Sequence, residues 1–248
     1  MNDMSVKEAV PEKPASWLEL LLYLFAGFGL YLLASIGVGL LFREMSIWVS
    51  VTAYALNVIF LGGSMWVLSV WRKKASWSEI GIWPVRWQWY WLLIVVGLVI
   101  VFIPIRTLLG VITQLVLEGN LDSMQARAQL LMGGETFSWL DFAITLLGAG
   151  ILAPVSEELY FRGLLHRWFQ SRFGFWPRVL LSSVLFGLAH FDSLAVIISS
   201  FIMGVMNAIA YEKSKSLWLP ILIHVFNNSL AVVILYALLL IQQYVPIS

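Results

Sequence analysis

Three short polar motifs in the second half of the chain combine residue types that could carry out hydrolysis. A carboxylate with a histidine can take a proton from water, and N–H groups of histidine and asparagine can stabilise an oxyanion. Each motif follows or interrupts an apolar run, where ionisable side chains are costly and usually functional. The motifs contain two adjacent carboxylates with a guanidinium, a single histidine, and a histidine with an asparagine: Glu157, Glu158 and Arg162; His190; His224 and Asn228.

Helical spacing predicts different roles for the two carboxylates. Glu158 and Arg162 are four residues apart, so in a helix they lie on one face, in the order that favours an ion pair. Glu157 points about 100° away from Glu158. Because Arg162 compensates Glu158 but not Glu157, we expect Glu158 to be a structural anion and Glu157 to be the general base.

The other two motifs also place pairs of residues on one helical face. Phe186 and His190 are four residues apart, as are His224 and Asn228. Gly187, between the first pair, would allow its helix to approach a neighbour closely.

Chain spacing predicts that the motifs meet at one depth. The turn between the first two helices centres near Gly174, 17 residues after Glu157 and 16 before His190. Antiparallel helices of equal rise then bring these two side chains to the same height. His224 lies ten residues beyond the next turn, near Ser214, and is expected to be somewhat shallower unless the two turns differ in height.

The composition indicates that these motifs are positioned by membrane helices. Of 248 residues, 60% are hydrophobic and 12% charged, about half the charged share of an ordinary soluble domain. The 13 tryptophans are typical of membrane–water interfaces. A net charge of +1 gives no electrostatic basis for a nucleic-acid partner. The absence of cysteine excludes disulfides, thiolate metal sites and a cysteine nucleophile.

Apolar runs predict an all-α, polytopic transmembrane bundle of seven spans, since a spanning helix needs ~20 apolar residues. Pro104 and Arg106 interrupt the third run, so we expect a kink there, with Arg106 facing protein or water; a split of this run would give eight spans. The fourth and fifth runs are short for free-standing spans. The runs are Leu20 to Phe42, Ile47 to Trp71, Trp89 to Leu117, Phe142 to Val155, Val179 to Ala189, Ser193 to Tyr211 and Ser216 to Ile241.

The distribution of basic residues predicts the topology and the domain organisation. With seven spans, the Lys/Arg-rich loops all fall on one side, with the N-terminus cytoplasmic. We expect a disordered cytoplasmic tail at 1–16, N-terminal spans and loops at 17–136, and a catalytic transmembrane domain at 137–248. Gly119 to Ser138 is predicted to be an external loop with some amphipathic helix. The expected location is the bacterial cell (inner) membrane.

The three motifs resemble, in order and form, those of the CAAX-protease and bacteriocin-processing family, intramembrane endopeptidases related to the type II CAAX prenyl endopeptidase. The resemblance covers Asp141 to the C-terminus. It implies a membrane-associated peptide or protein as substrate, in a lipid bilayer; the oligomeric state stays undefined. It also implies a catalytic carboxylate with a histidine acting on water, a supporting pair, and an oxyanion pair: Glu157 with His190, Glu158 with Arg162, and His224 with Asn228.

Other interpretations of the same residues stay open. Two histidines and two glutamates could ligate Zn²⁺, although we expect no cofactor, because Asn228 is a poor zinc ligand. No His-Glu-x-x-His, Gly-x-Ser-x-Gly or Gly-x-Gly-Asp motif is present. A non-catalytic membrane scaffold and a transporter or proton pathway are the alternative functions. His166 is expected at the interface, and Asn207 and Asn227 in interhelical hydrogen bonds.

Overall fold

In the computed structural model, the described residues form seven helices of four or more residues. The structure describes residues 16–42, 46–84, 87–117, 136–191 and 193–244, together with positions 119 and 128, and no strand occurs within them. Six helices are long and apolar enough to cross a membrane, and the fifth, with 14 residues, is shorter. The helices are α1 (Trp17–Leu41), α2 (Ile47–Trp71), α3 (Tyr90–Leu117), α4 (Trp139–Gln170), α5 (Phe175–Leu188), α6 (Leu194–Ser214) and α7 (Trp218–Tyr244).

The predicted polytopic helical fold is confirmed. Large apolar side chains such as Leu18, Leu40 and Leu41 remain at least 75% exposed, as expected for faces that contact lipid. The helix α3 continues through Pro104, so the third span is not split. The predicted tail and most of the predicted 119–138 loop lie outside the described residues.

The fourth helix differs from its predicted form. Instead of a short apolar segment, α4 is a single helix of 32 residues with the carboxylates in its middle. Two π-helical turns, Leu146–Leu152 and Phe161–His166, flank them. Such turns are rare, are enriched at functional sites, and shift the helical phase of the residues that follow.

Small residues allow α5 and α6 to pack closely, as predicted for Gly187. A Cβ atom added at Gly187 would lie 2.9 Å from the Ile197 carbonyl oxygen, and one at Gly204 would lie 3.1 Å from Ser183 Cα. This contact holds the end of α5 against the middle of the bundle.

The turn between α6 and α7 is fixed by the loop that follows α2. Gly81 has a positive φ of 79°, and a Cβ there would lie 2.7 Å from the Lys215 carbonyl oxygen. The Gly81 carbonyl accepts hydrogen bonds from the Leu217 N–H at 3.1 Å and from Ser216 Oγ at 3.2 Å. Trp218 Nε1 donates to the Ile82 carbonyl at 2.9 Å. These contacts set the depth at which α7 begins.

Candidate active site

The middle of α4 carries a buried ion pair beside a second carboxylate. Arg162 Nη1 lies 3.1 Å from Glu158 Oε1, one helical turn away, and both side chains are at most 1% exposed. Arg162 Nη2 also donates to the Gly204 carbonyl at 2.9 Å, and its guanidinium lies 4.6 Å from the centre of the Phe186 ring. The spacing therefore predicted the correct partner of Arg162.

Glu158 accepts hydrogen bonds from three elements. Besides Arg162, Asn207 Nδ2 on α6 and His224 Nδ1 on α7 each lie 2.8 Å from Glu158 Oε1. All three bonds go to Oε1, and Oε2 is buried without a hydrogen-bond partner among the described residues. A buried carboxylate is stabilised when its charge is compensated, as it is here by Arg162. Glu158 therefore joins α4, α6 and α7 and fixes the orientation of the His224 ring.

Glu157 has a different environment from its neighbour. Its Oε1 accepts one hydrogen bond, from Asn57 Nδ2 on α2 at 3.2 Å. Its Oε2 is buried without a hydrogen-bond partner among the described residues. Two imidazole nitrogens face this oxygen, His190 Nε2 at 3.7 Å and His224 Nε2 at 3.8 Å. Together, Glu157, Glu158, Arg162, His190 and His224 form what we call the central layer.

His190 lies just beyond the C-terminus of α5 rather than within the helix. Its Nδ1 is 2.8 Å from the Phe186 carbonyl oxygen, and the two rings pack at a centroid distance of 4.8 Å with their planes tilted by 42°. Because a carbonyl can only accept, Nδ1 carries the proton of a neutral ring. The lone pair of Nε2 then points towards Glu157.

His224 lies at the depth of Glu157, because the two turns differ in height, the condition under which it was not expected to be shallower. Six residues separate Trp218 from His224, whereas thirteen separate Glu157 from the end of α4 at Gln170. At 1.5 Å per residue, α7 must begin ~10 Å deeper than α4 ends for these side chains to meet. The contacts of Gly81 with the α6–α7 turn hold α7 at that depth.

Asn228 and Arg106 lie at a cavity next to the central layer. The cavity has a volume of about 220 Å³, and its walls include His190, His224, Asn228 and Arg106. Asn228 Nδ2 donates to the Ala149 carbonyl at 3.3 Å, and its Oδ1 accepts from Asn227 at 2.8 Å. Arg106 is half-buried and faces protein, as expected for a charge in the third span.

Two further asparagines lie at this site. Asn57, which bonds Glu157, was not identified from the sequence; its signal is an amide in the middle of an apolar span. Asn207 was predicted to join helices, with a supporting role at the site left open, and it joins α6 to α4 through Glu158. Neither Asn57 nor Asn207 belongs to one of the three motifs, so residue spacing did not indicate which side chain each would contact.

The prediction that His166 lies at the interface was wrong. His166 is fully buried, with Nδ1 2.9 Å from Ser182 Oγ and Nε2 2.8 Å from Glu212 Oε1. Arg178 and Lys215 pair with the same carboxylate. We call His166, Arg178, Ser182 and Glu212 the closed cluster. A histidine near a basic loop resembles an interfacial residue, and only the packing of α5 and α6 reveals its burial.

No group of three or more His, Cys, Asp or Glu side chains with metal-binding geometry occurs among the described residues. Glu158 is enclosed by three donors, which leaves His190, His224 and Glu157 as the nearest set of candidate ligands. Arg106 lines the cavity that both histidines face.

The fold and site define an integral membrane protein whose transmembrane helices enclose a polar site. Residues 139–230 match the family described as type II CAAX prenyl endopeptidase Rce1-like. This match includes all three polar motifs and confirms the resemblance recognised from them.

Two curated relatives each match 36% of the chain. An uncharacterised 24.3 kDa protein of Escherichia coli is 36% identical over 94 residues, which are 36% of this chain and 43% of that protein. YdiL of Bacillus subtilis (strain 168), named as a candidate membrane peptidase, is 29% identical over 90 residues, 36% of each chain. The matches thus span less than half the length of these relatives. No solved structure matches the chain significantly.

Proposed function

We propose that the chain is an intramembrane endopeptidase that hydrolyses a peptide bond of a membrane-associated peptide or protein. The observation that carries this proposal is the approach of two imidazole nitrogens, from two other helix segments, to within 3.8 Å of one carboxylate oxygen of Glu157. The similarity to the Rce1-like family and to YdiL supports the same class of reaction.

The first step is the activation of water. Glu157 Oε2 and His190 Nε2 are 3.7 Å apart, too far for a direct hydrogen bond but suited to one water that donates to both. With both hydrogens engaged, the water presents its lone pairs to a carbonyl carbon. As the new C–O bond forms, Glu157 takes one proton as general base.

The second step is stabilisation of the oxyanion of the tetrahedral intermediate. His224 gives its Nδ1–H to Glu158. A neutral imidazole has only one N–H, so in this scheme His224 acts as the doubly protonated ring, whose Nε2–H is the second donor and is directed to the substrate. Asn228 uses one amide N–H on Ala149, and the second is the other proposed donor. Donors fixed in advance in a poorly hydrated site stabilise developing charge more strongly than water does.

The third step is the breakdown of the intermediate. The carbonyl re-forms, the C–N bond breaks, and Glu157 returns its proton to the leaving nitrogen. Glu158 and Arg162 do not exchange protons with the substrate in this scheme. They hold the His224 ring in place, with Asn207 as an additional support.

We further propose that residues 137–248 form the catalytic transmembrane domain and that the protein resides in a bacterial cell (inner) membrane. The matched segment, 139–230, supports this division. Asn57 and Arg106 lie outside that domain, so the N-terminal spans complete the site rather than only anchoring it.

The proposal is tested by comparing membrane peptides and proteins from cells with the wild-type chain, Glu157→Ala, His190→Ala or Glu79→Ala. Glu79, in the loop after α2, is the matched carboxylate control. We expect one substrate to accumulate unprocessed in the Glu157 and His190 variants but not in the control, as measured by mass spectrometry. Wild-type processing in all four strains would contradict the mechanism. An inactive purified protein that copurifies with one partner would favour a scaffold.

A further inference from the structure

Gly110, on α3, is a buried glycine whose small size is not explained by helix packing. A Cβ atom built on Gly110 would have no atom of another described helix within 4 Å. At Gly187 and Gly204, which are also buried, the same atom would lie 2.9 and 3.1 Å from the facing helix. Close approach of two helices therefore accounts for those two glycines but not for Gly110.

The space beside Gly110 is the cavity next to the central layer. Gly110 forms part of the wall of that cavity, and α3 packs against α6 and α7. His190, His224 and Asn228 line the same cavity, which therefore reaches the groups proposed to act on water and on the oxyanion. Because Gly110 is buried, a larger side chain at this position would fill the cavity rather than extend into the lipid.

The volume and the walls of the cavity limit what can occupy it. At about 220 Å³ it is larger than a cavity of roughly 150 Å³ that holds benzene, and smaller than the roughly 300 Å³ at which sites for drug-sized ligands begin. One large side chain of a peptide fits these limits. Four residues of α5 and α6 supply apolar wall for it: Phe186, Ala195, Val196 and Met203.

We propose that Gly110 sets the size of the substrate side chain that enters this cavity next to the scissile bond, and that this side chain is large and uncharged, from Leu to Phe in size. The identity of the occupant as part of a peptide rests on the proposed function. Gly110 is a specificity-determining residue that acts through the room it leaves and bonds no reacting atom. It lies outside the matched segment 139–230, so α3 contributes to substrate selection.

Binding, rather than cleavage, provides the test, in a Glu157→Ala background that lacks the proposed base. The probes are acetyl-Ala-Ala-X-Ala-Ala amides in which X is Ala, Leu or Phe, so only X is large enough to fill the cavity, whichever register the peptide adopts. Dissociation constants are measured in dodecyl maltoside. With Gly110 present, we expect the Leu and Phe peptides to bind about tenfold more tightly than the Ala peptide, because each buries additional apolar surface.

Gly110→Leu in the same background should reduce both ratios to about one, because the new side chain occupies the cavity. Gly110→Ala should weaken the Phe peptide more than the Leu peptide, and it serves alone if the Leu variant does not fold. Both changes replace a helix-interior glycine by a better helix former, which favours folding. Gly97→Leu is the matched control, since Gly97 is an exposed glycine of the same helix, and it should keep both ratios.

Equal binding of the three peptides by the protein that retains Gly110, or no binding of any, would overturn the proposal. Ratios that survive in Gly110→Leu would overturn it as well, and a higher melting temperature without a change in the ratios would mark the cavity as a packing void. A loss of the ratios in Gly97→Leu would attribute them to partition into detergent. None of these results depends on cleavage, so failure here leaves the hydrolysis proposal standing, and failure of hydrolysis does not alter the binding ratios.

Discussion

The central layer and the closed cluster use similar side chains within one helical bundle, yet they differ in access. Both contain residues of α4, and both include histidine, glutamate and arginine. In the closed cluster, both ring nitrogens of His166 and both oxygens of Glu212 have partners, and His166 is fully buried. In the central layer, the Oε2 atoms of Glu157 and Glu158 both lack a hydrogen-bond partner among the described residues. Two imidazole nitrogens face Glu157 Oε2, at 3.7 and 3.8 Å, and the His190 side chain is 18% exposed.

This difference separates a structural polar cluster from a candidate catalytic one. A fully satisfied buried network stabilises one arrangement of helices and offers nothing to a ligand. An oxygen that lacks a partner, next to a cavity lined by histidines, has a cost that is explained if water and substrate use it. Residue composition alone would have ranked the two clusters equally.

The largest expected effect is at Glu157. Replacing it by glutamine keeps its shape and the contact with Asn57 but removes the base, so kcat/KM on the identified substrate should fall about 10³-fold. The melting temperature should change little. Glu79→Gln, in the exposed loop, is the control and should retain activity. If Glu157→Gln retained more than a tenth of wild-type activity, the central layer could no longer be distinguished from the closed cluster as the catalytic region.

The reciprocal change in the closed cluster should affect stability instead. Glu212→Ala leaves His166 and Arg178 without their shared carboxylate, and breaking a buried charged network costs about 3 kcal/mol. We expect a lower melting temperature in detergent, with kcat of the remaining folded enzyme near the wild-type value. A folded Glu212→Ala protein that had lost catalysis would assign the closed cluster a functional role.

The sequence was sufficient for the relations that lie within one helix or across one short turn. The pairing of Glu158 with Arg162 and the equal height of Glu157 and His190 follow from helical rise and residue spacing. The depth of His224 did not, because it depends on a loop more than 130 residues away in sequence that contacts the α6–α7 turn through Gly81.

Contacts between distant helices were also beyond the reach of the sequence. Asn57 is 100 residues from Glu157, and nothing in the apolar pattern of α2 specifies which face meets α4. The burial of His166 was missed for the same reason, since Glu212 is 46 residues away. The π-helical turns of α4 add a phase shift that spacing arguments assume to be absent.

A smaller effect is expected at Asn57. It would show that the catalytic site includes a residue of α2. Asn57→Ala removes the hydrogen bond that orients the Glu157 carboxylate, and we expect kcat to fall about tenfold with KM unchanged. Ser64→Ala, on the same helix, is the matched control, because Ser64 bonds only the backbone of its own helix. Equal activities of the two variants would show that Glu157 needs no support from α2.

The smallest expected effect is that of metal chelation. His190, His224 and Glu157 resemble a His₂Glu ligand set, so zinc is a genuine competitor of the base mechanism. The charges oppose it: Glu158 is already compensated by Arg162, so among these side chains Glu157 alone would balance a dication. We therefore expect 1,10-phenanthroline to change the cleavage rate less than twofold. A chelator-sensitive rate that added Zn²⁺ restores would instead make Glu157 a ligand, and the unpartnered Oε2 would then mark a metal site rather than a water site.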